Sequence, residues 1–226
     1  MSHLNNILRI NAVNNALGEL KEKVVFIGGA TISLYADRLA FEIRPTDDID
    51  VLVEILSYSE RVKLEERLRG IGFVHDLESK IVCRFKIQGI IVDIMPTDDP
   101  SIGFKNFWYP EGFKNAMDYQ IDENNIVKIL IAPYFIATKL EAFKGRGNDD
   151  GRTSKDFEDI VFVLENRKTI WEELKNSDLK LQKYLQAEFN VLLANPYIEE
   201  WIGSHLERGS EQSTFLIIEE MKKFVE

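Results

Sequence analysis

The sequence predicts an α+β protein, with a mixed sheet in about the first 130 residues and an all-helical part after it. Two observations lead to this prediction. Short β-rich runs alternate with helical patterns as far as residue 131, whereas only helix-like patterns, separated by Asn, Pro and Gly signals, follow residue 169. A length of 226 residues suits one large domain or two small ones. We therefore expect two domains, residues 1–130 and 131–226.

The composition predicts a soluble, globular protein, since 45% of the residues are hydrophobic and 29% are charged. A formal charge of −10 argues against a surface that binds nucleic acid throughout, although a local basic patch for RNA remains compatible with it. Cys83 is the single cysteine, which rules out an intramolecular disulfide and favours a reducing compartment. We find no signal-peptide pattern and no long apolar run, so we expect a cytoplasmic protein without a membrane span.

An amphipathic helix is expected at the start of the chain. Apolar residues recur there at roughly helical spacing: Leu4, Ile7, Leu8, Ala12, Leu17 and Leu20. We interpret this segment as a helix packed on the sheet of its own domain.

Residues 24–53 contain the most informative pattern of the chain. The strand-like run VVFI ends on Gly28 and Gly29, a helix-like segment follows, and Arg44, Pro45 and Thr46 lead into the strand-like run DDIDVLV. The two glycines allow a tight turn and a close approach of the backbone. A helix that begins there points free N–H groups at an anion such as a phosphate.

Two carboxylates follow that turn. Asp48 and Asp50 are two residues apart on an extended segment, so both side chains project from one face, while Ile49 and Val51 face the core. A phosphate cradle beside carboxylates that hold a divalent cation suggests chemistry on a nucleoside triphosphate.

A third carboxylate, Asp93, lies on a second candidate strand. After a charged helix over residues 59–70, the runs 81–87 and 90–96 are separated by Gln88 and Gly89, which predicts a hairpin. An unpaired carboxylate is costly to bury on such an apolar strand. If this strand neighbours that of Asp48 and Asp50, the three acids meet where two Mg²⁺ ions would draw oxygen ligands. Asp93 would then be the ligand or proton acceptor nearest the attacking group.

The rest of the chain is expected to contain an irregular connection over residues 97–125 with a short strand or helix inside it. A strand follows at 125–131, and Pro133 suits the first turn of a helix that runs to Phe143. Residues 145–152 have the composition of a mobile loop. Thr153 or Ser154 then caps the next helix.

Other sites fit the acidic stretch less well. A calcium loop that starts at Asp48 needs Gly at Val53 and an acid at Ser59. No Gly-Lys-Ser or Gly-Lys-Thr run follows Gly28 and Gly29, which excludes a P-loop. One cysteine and three scattered histidines make a zinc site a poor fit.

The second half of the chain supplies Lys139, Asp156 and Asp159. Lys139 lies between apolar residues, which is typical of a surface lysine whose stem packs against the protein. Asp156 and Asp159 share one helix face, either as an ordinary acidic start of a helix or as partners of a common cation.

Four motifs that contain these residues resemble those of a known family. GGATISLY, RPTDDIDVLVE, ATKLEAFKGR and KDFEDIVFVL, in this order, resemble the motifs of the AbiEii-type nucleotidyltransferase toxins of type IV toxin-antitoxin and abortive-infection systems. That family has a DNA polymerase β-like catalytic core, and the likeness extends over residues 24–164. The resemblance implies that Gly28 and Gly29 bind the triphosphate, that Asp48 and Asp50 bind Mg²⁺ and that Lys139 contacts phosphates.

Further site residues follow from the same resemblance. Asp156 acts in or beside the site as a base, and Arg44, Thr46 and Thr31 complete the predicted phosphate contacts. Many relatives carry a hydroxyl directly after the glycine pair, where this chain has Ala30, and its nearest hydroxyl is that of Thr31. Asp93 matches the third carboxylate of the wider polymerase β-like superfamily better than that of the toxin family.

We therefore expect a Mg²⁺-dependent transfer of a nucleoside monophosphate from a triphosphate to an acceptor. The resemblance implies a tRNA 3′ end or a protein hydroxyl as acceptor, and a separate antitoxin protein as partner. A small-molecule nucleotidyltransferase of the aminoglycoside-modifying kind is the first alternative, since the negative charge suits a cationic substrate. A non-catalytic nucleotide-binding or interaction module is the second.

Overall fold

A computed structural model describes residues 2–37, 44–55, 58–98, 105–147, 150–206 and 211–226. The chain forms two compact units. The first contains Met1–Leu34 and Phe41–Ile131, and the second contains Tyr35–Ala40 and Ala132–Glu226. Parts of the predicted segment after the glycine pair, of the irregular connection and of the mobile loop lie outside the described residues, at 38–43, 99–104 and 148–149.

The first unit is built on a seven-stranded sheet. Its strands are β1 (Val24–Ile27), β2 (Asp48–Val53), β3 (Val74–His75), β4 (Arg84–Ile87), β5 (Ile90–Pro96), β6 (Met117–Asp122) and β7 (Asn125–Ile129). Their order across the sheet is β3-β4-β5-β2-β1-β7-β6. The sheet is mixed, as predicted, because β2 pairs parallel with β5 and β1 pairs parallel with β7, while the other pairs are antiparallel.

The predicted hairpin is present between β4 and β5. Gln88 and Gly89 both have positive φ, 50° and 80°, which is the backbone that a two-residue hairpin turn requires. Only the second half of the first predicted run is a strand, since Val82 and Cys83 lie in a turn.

A helical segment follows the glycine pair, as predicted. Gly29–Tyr35 is a 3₁₀ helix, which begins with a hydrogen bond from the Thr31 amide to the Gly28 carbonyl at 3.2 Å. The β-branched side chains of Thr31 and Ile32 lower the helical propensity here. The strands on either side, β1 and β2, are antiparallel neighbours.

The opening helix, α1 (Ser2–Leu17), is present, but part of its predicted apolar face is wrong. Leu4 and Leu8 are 61% and 57% exposed, whereas Ile10 and Val13 are fully buried. The buried stripe includes the polar Asn6 and Asn14, which the apolar periodicity could not identify. The described part of the first unit also contains a 3₁₀ helix (Gly18–Lys23) and two shorter α-helices, α2 (Tyr58–Gly70) and α3 (Tyr109–Lys114).

Helices form the second unit, as the sequence predicts. They are α4 (Ala132–Arg146), α5 (Lys155–Asn166), α6 (Ile170–Lys175), α7 (Leu179–Leu193), α8 (Ile198–Gly203) and α9 (Glu211–Val225). Ser154 caps α5, because its hydroxyl accepts a hydrogen bond from the Phe157 amide. Phe135, Phe157 and Phe189 are among the largest buried side chains. Within the described part of the chain, no helix has the length and apolar character needed to cross a membrane.

Candidate active site

Three carboxylates come together on two parallel strands. Asp48 and Asp50 lie on β2 and Asp93 lies on β5, and the register places Asp50 directly beside Asp93. One oxygen atom from each of the three carboxylates lies within 4.8 Å of the others. Carboxylate oxygens at such separations match the ligands that Mg²⁺ takes from proteins. We name Asp48, Asp50 and Asp93 the acid cluster.

Gly28 packs directly against the acid cluster. Ile27 pairs with Asp50 across β1 and β2, and Gly28 follows with a φ of +74°. A Cβ atom at Gly28 would overlap the Asp50 carboxylate and lie 3.1 Å from the Asp50 Cβ atom. The position therefore requires glycine for two reasons, its backbone conformation and the space taken by Asp50.

The neighbouring glycine makes room for the segment that leads into β2. A Cβ atom at Gly29 would overlap the Arg44 guanidinium and lie 2.9 Å from the Thr46 methyl carbon. The structure thus brings Gly28, Gly29, Arg44 and Thr46 together at one edge of the acid cluster. Their contact with a triphosphate stays a prediction.

Thr31, the hydroxyl nearest to the glycine pair, is completely buried. Its Oγ1 donates a hydrogen bond to the Gly28 carbonyl oxygen at 2.9 Å, so this donor stabilises the turn. A phosphate contact from Thr31 also stays a prediction.

Helix α1 holds the segment that carries Thr46, which the sequence did not reveal. The Arg9 guanidinium donates to the carbonyl oxygens of Thr46 and Asp47. Thr46 Oγ1 donates to Asn6 Oδ1 at 3.3 Å. No local pattern links residues about 40 positions apart, so these contacts depend on how α1 packs in the first unit.

Arg84 is the functional candidate that our sequence reasoning missed. Its Nε and Nη2 atoms donate to Asp93 Oδ1 and Oδ2 at 2.8 and 2.7 Å, and Nη2 also donates to Asp48 Oδ2 at 3.0 Å. A signal was present, because a hairpin turn at Gln88 and Gly89 places Arg84 opposite Asp93.

The ion pair with Arg84 explains why the Asp93 carboxylate can be buried. The Asp93 side chain is 9% exposed, and its two oxygen atoms accept a bidentate pair from the guanidinium. The hydrogen bond with Asp93 raises the pKa of Arg84 above its ordinary value; burial opposes this effect, and the charges of Asp93, Asp48 and Asp50 add to it. Arg84 is therefore a permanent cation beside the acid cluster.

Lys139 belongs to a buried ionic network in the second unit. Its Nζ atom lies 2.6 Å from Asp159 Oδ2 and 3.2 Å from Asp156 Oδ1. Arg146 donates to both oxygens of Asp156 at 2.7 and 2.8 Å. The interpretation of Lys139 as a surface lysine with its ammonium group in water is wrong, because the residue is only 6% exposed.

Asp156 is held in its ionised form within this network. Burial raises the pKa of its carboxyl group, but the hydrogen bond from Arg146 and the charges of Lys139 and Arg146 outweigh that effect and lower the pKa below its ordinary value. A lowered pKa suits a permanent ion-pair partner, and it also leaves the carboxylate free of a proton at neutral pH. The phosphate contact of Lys139 and the role of Asp156 as a base stay predictions.

Known proteins match this chain in structure. No protein-family model matches the sequence, and no curated protein matches it. The solution structure of the antibiotic-resistance factor ANT(2″)-Ia aligns over 85% of this chain and 96% of its own, with a TM-score of 0.52 and 16% identity. The crystal structure of an antigenic nucleotidyltransferase-like protein from Paracoccidioides brasiliensis aligns over 93% and 97%, with a TM-score of 0.50 and 15% identity.

At these identities the likeness concerns the fold alone. It agrees with the predicted fold class, while membership of the nucleotidyltransferase superfamily and of the AbiEii-type family stays a prediction. The chain has the fold of nucleotidyltransferases.

Proposed function

We propose that this protein is a nucleotidyltransferase that moves a nucleoside monophosphate from a triphosphate to an acceptor hydroxyl. The observation that carries the proposal is the acid cluster, which lies on two parallel strands and packs against the turn at Gly28. The fold of the chain is consistent with this activity.

The acid cluster fits a divalent cation because it offers three carboxylates whose ligand atoms lie within 4.8 Å of one another. Asp48, Asp50 and Asp93 would hold Mg²⁺, in a two-metal arrangement. Bound Mg²⁺ lowers the pKa of an attacking hydroxyl and neutralises a departing pyrophosphate.

In the transfer, the acceptor oxygen forms a bond to the α-phosphorus of the triphosphate. The bond between that phosphorus and the oxygen that bridges to the β-phosphate breaks, and pyrophosphate leaves with the electron pair. The hydroxyl proton passes to a carboxylate, for which Asp93 and Asp156 are the candidates. We assign the phosphates of the substrate to Gly28, Gly29, Arg44 and Thr46, together with Thr31 and Lys139.

A tRNA 3′ end or a protein hydroxyl is the proposed acceptor, and a toxin of a type IV toxin-antitoxin or abortive-infection system is the proposed setting. The order of the motifs at Gly28, Asp48, Lys139 and Asp156 supports this assignment. An antitoxin would be a separate chain.

Transfer to a small cationic molecule, in the manner of aminoglycoside modification, is the second candidate. Two observations favour it. The fold matches an antibiotic-resistance factor over 85% of this chain and 96% of the other, and the chain carries a formal charge of −10. Negative potential concentrates cationic ligands near a protein.

The test offers the protein each of the four α-labelled ribonucleoside triphosphates with Mg²⁺. Total tRNA, a protein extract and an aminoglycoside mixture are supplied as acceptors in separate reactions. We expect label to move to one acceptor class and pyrophosphate to appear in equal amount. Label on the aminoglycosides alone would replace the first candidate by the second, and no transfer in any reaction would refute the enzymatic function.

A matched pair of variants identifies the site. Asp48→Asn removes one charge from the acid cluster, and Asp118→Asn makes the same chemical change at an exposed position on β6. We expect the first variant to lose at least about 100-fold in transfer rate, since it removes a ligand of the catalytic cation. The second should match the wild type, and equal losses would argue against the acid cluster as the active site. A protein that binds nucleotide without transfer would instead support a non-catalytic module.

A further inference from the structure

We propose that Arg84 is the resting counter-cation of the acid cluster and that a divalent cation must displace it from Asp48 and share Asp93 with it. This inference rests on the proposed function only in taking the acid cluster as the metal site. It assigns Arg84 a role in controlling when the site takes up metal.

The first step of the argument is the set of contacts that Arg84 makes. The guanidinium spans two strands, with both oxygens of Asp93 on β5 and one oxygen of Asp48 on β2 within 3.0 Å. These are two of the three carboxylates whose oxygens face the proposed metal position. Arg84 therefore occupies the acid cluster with the same sign of charge that a metal ion would bring.

The second step is the charge of the site. The three carboxylates and the one guanidinium give the site a formal charge of −2. The Arg84 and Asp93 side chains are 18% and 9% exposed, so water screens their interaction only partly. The guanidinium repels a divalent cation placed among the same carboxylates. This repulsion lowers the affinity of the nucleotide-free site for the cation.

The third step concerns which hydrogen bond of Arg84 breaks when a metal ion binds. Asp93 and Arg84 are cross-strand partners in the β4–β5 hairpin and share two hydrogen bonds, whereas Asp48 contributes one longer bond. Carboxylate oxygens have further lone pairs, so Asp93 can serve Arg84 and a cation together. We infer that Arg84 releases Asp48 and keeps Asp93 when the metal binds.

The consequence is that metal and substrate arrive together. The negative charge of a nucleoside triphosphate offsets the repulsion between Arg84 and the cation. Without nucleotide this offset is absent. Arg84 thus disfavours a metal-loaded site without nucleotide and favours loading by the metal–nucleotide complex.

The experiment is a calorimetric titration of the nucleotide-free protein with Mn²⁺. We expect Arg84→Gln to bind Mn²⁺ at least about tenfold more tightly than the wild type, because it removes a positive charge from the immediate surroundings of the cation. Arg84→Lys, which keeps the charge, should remain within about threefold of the wild type. Equal or weaker binding by Arg84→Gln would overturn the inference.

Lys86 supplies the matched control. It lies two residues from Arg84 on β4, but its ammonium group pairs with Asp76 at 3.0 Å. Lys86→Gln changes the net charge of the protein by the same amount as Arg84→Gln. Because Lys86 pairs with Asp76, outside the acid cluster, we expect this variant to bind Mn²⁺ as the wild type does. A gain equal to that of Arg84→Gln would show that only the net charge matters, and would overturn the inference.

Two further results keep the inference distinct from the proposed function. The Nη–Hη resonances of Arg84 in the wild-type protein, which report the contact of Nη2 with Asp48, should shift on titration with Mg²⁺. Resonances that stay in place at saturation would overturn the inference without any variant. Asp48→Asn should weaken Mn²⁺ binding. If neither the wild type nor Arg84→Gln binds Mn²⁺ at all, the metal site of the proposed function is refuted as well.

Discussion

Gly28 and Asp50 are packed so closely that a methyl group on Gly28 would overlap the Asp50 carboxylate. The glycine lies at the end of β1 and the aspartate lies opposite on β2, so the contact is built into the sheet. Gly28 is therefore a steric requirement of the acid cluster, whatever contact it also makes with a phosphate.

Gly28→Ala should damage the acid cluster. The alanine methyl group displaces Asp50, and the positive φ at this position strains any residue other than glycine, at a cost of about 1–3 kcal/mol in the free energy of unfolding. We expect at least about a tenfold loss of Mn²⁺ affinity, because one ligand of the cluster is misplaced. Urea unfolding and Mn²⁺ titration measure the two effects.

Gly89→Ala separates the displacement of Asp50 from the strain of the backbone. Gly89 also has a positive φ, +80°, but a Cβ atom there meets open space. This variant should lose comparable stability and keep the Mn²⁺ affinity of the wild type. Identical Mn²⁺ binding by the two variants would contradict the steric role of Gly28.

Lys139→Met should destabilise the protein strongly. The change leaves the buried carboxylates of Asp156 and Asp159 without the ammonium group that lies within 3.2 Å of both. Removing one partner of a buried ion pair typically costs about 3–5 kcal/mol in the free energy of unfolding. Urea unfolding monitored by circular dichroism gives the value.

The control for Lys139 is Lys144→Met on the same helix. Lys144 pairs with Glu141 and Glu188 near the surface, and such pairs are worth about 1 kcal/mol or less. If both methionine variants lose the same free energy, the network around Lys139 has no special structural role. Transfer rates of Lys139→Met are then measured well below its unfolding temperature, which separates a phosphate contact from lost stability.

The network around Asp156 should make stability depend on pH in the acid range. The pKa of Asp156 is lower in the folded protein than its ordinary value of 3.8. Its stabilising contribution is therefore fully present above the unfolded pKa and is lost as the pH falls through the folded pKa. As the pH is lowered from about 5 to about 2, the melting temperature of Asp156→Asn should fall less steeply than that of the wild type. Parallel slopes would contradict the prediction.

Cys83 should react slowly with thiol reagents in the folded protein. Burial raises the pKa of its thiol to about 11, and the nearby charge of Asp93 adds to this effect. At pH 7.5 the thiolate fraction is then about 100-fold smaller than for an exposed cysteine. Stopped-flow labelling gives the rate, and denatured protein is the reference. Labelling of the folded protein at the rate of the denatured protein would contradict the raised pKa of the Cys83 thiol.

The sequence allowed the fold class and the strands of the acid cluster to be predicted because these features are locally encoded. The run VVFI, the alternation around Asp50 and the turn at Gln88 and Gly89 each specify an element without knowledge of its neighbours. The meeting of Asp50 and Asp93 required one further condition, that β2 and β5 pair, which the structure satisfies.

Features that depend on packing could not be predicted. Arg9 and Asn6 reach Thr46 from a helix about 40 residues away, and no sequence pattern specifies that contact. Leu4 and Leu8 are exposed because the helix buries asparagines instead. Arg84 is an intermediate case, since it could have been found by counting residues back from the hairpin turn.

The turn at Gln88 and Gly89 constrains how this protein tolerates insertions and deletions during evolution. Its two residues set the alignment of β4 and β5, and thereby the pairing of Arg84 with Asp93. A strand that slips by one residue turns every side chain to the opposite face of the sheet. Gain or loss of a single residue in this exposed turn would therefore separate Arg84 from Asp93, although no residue of the acid cluster had been replaced.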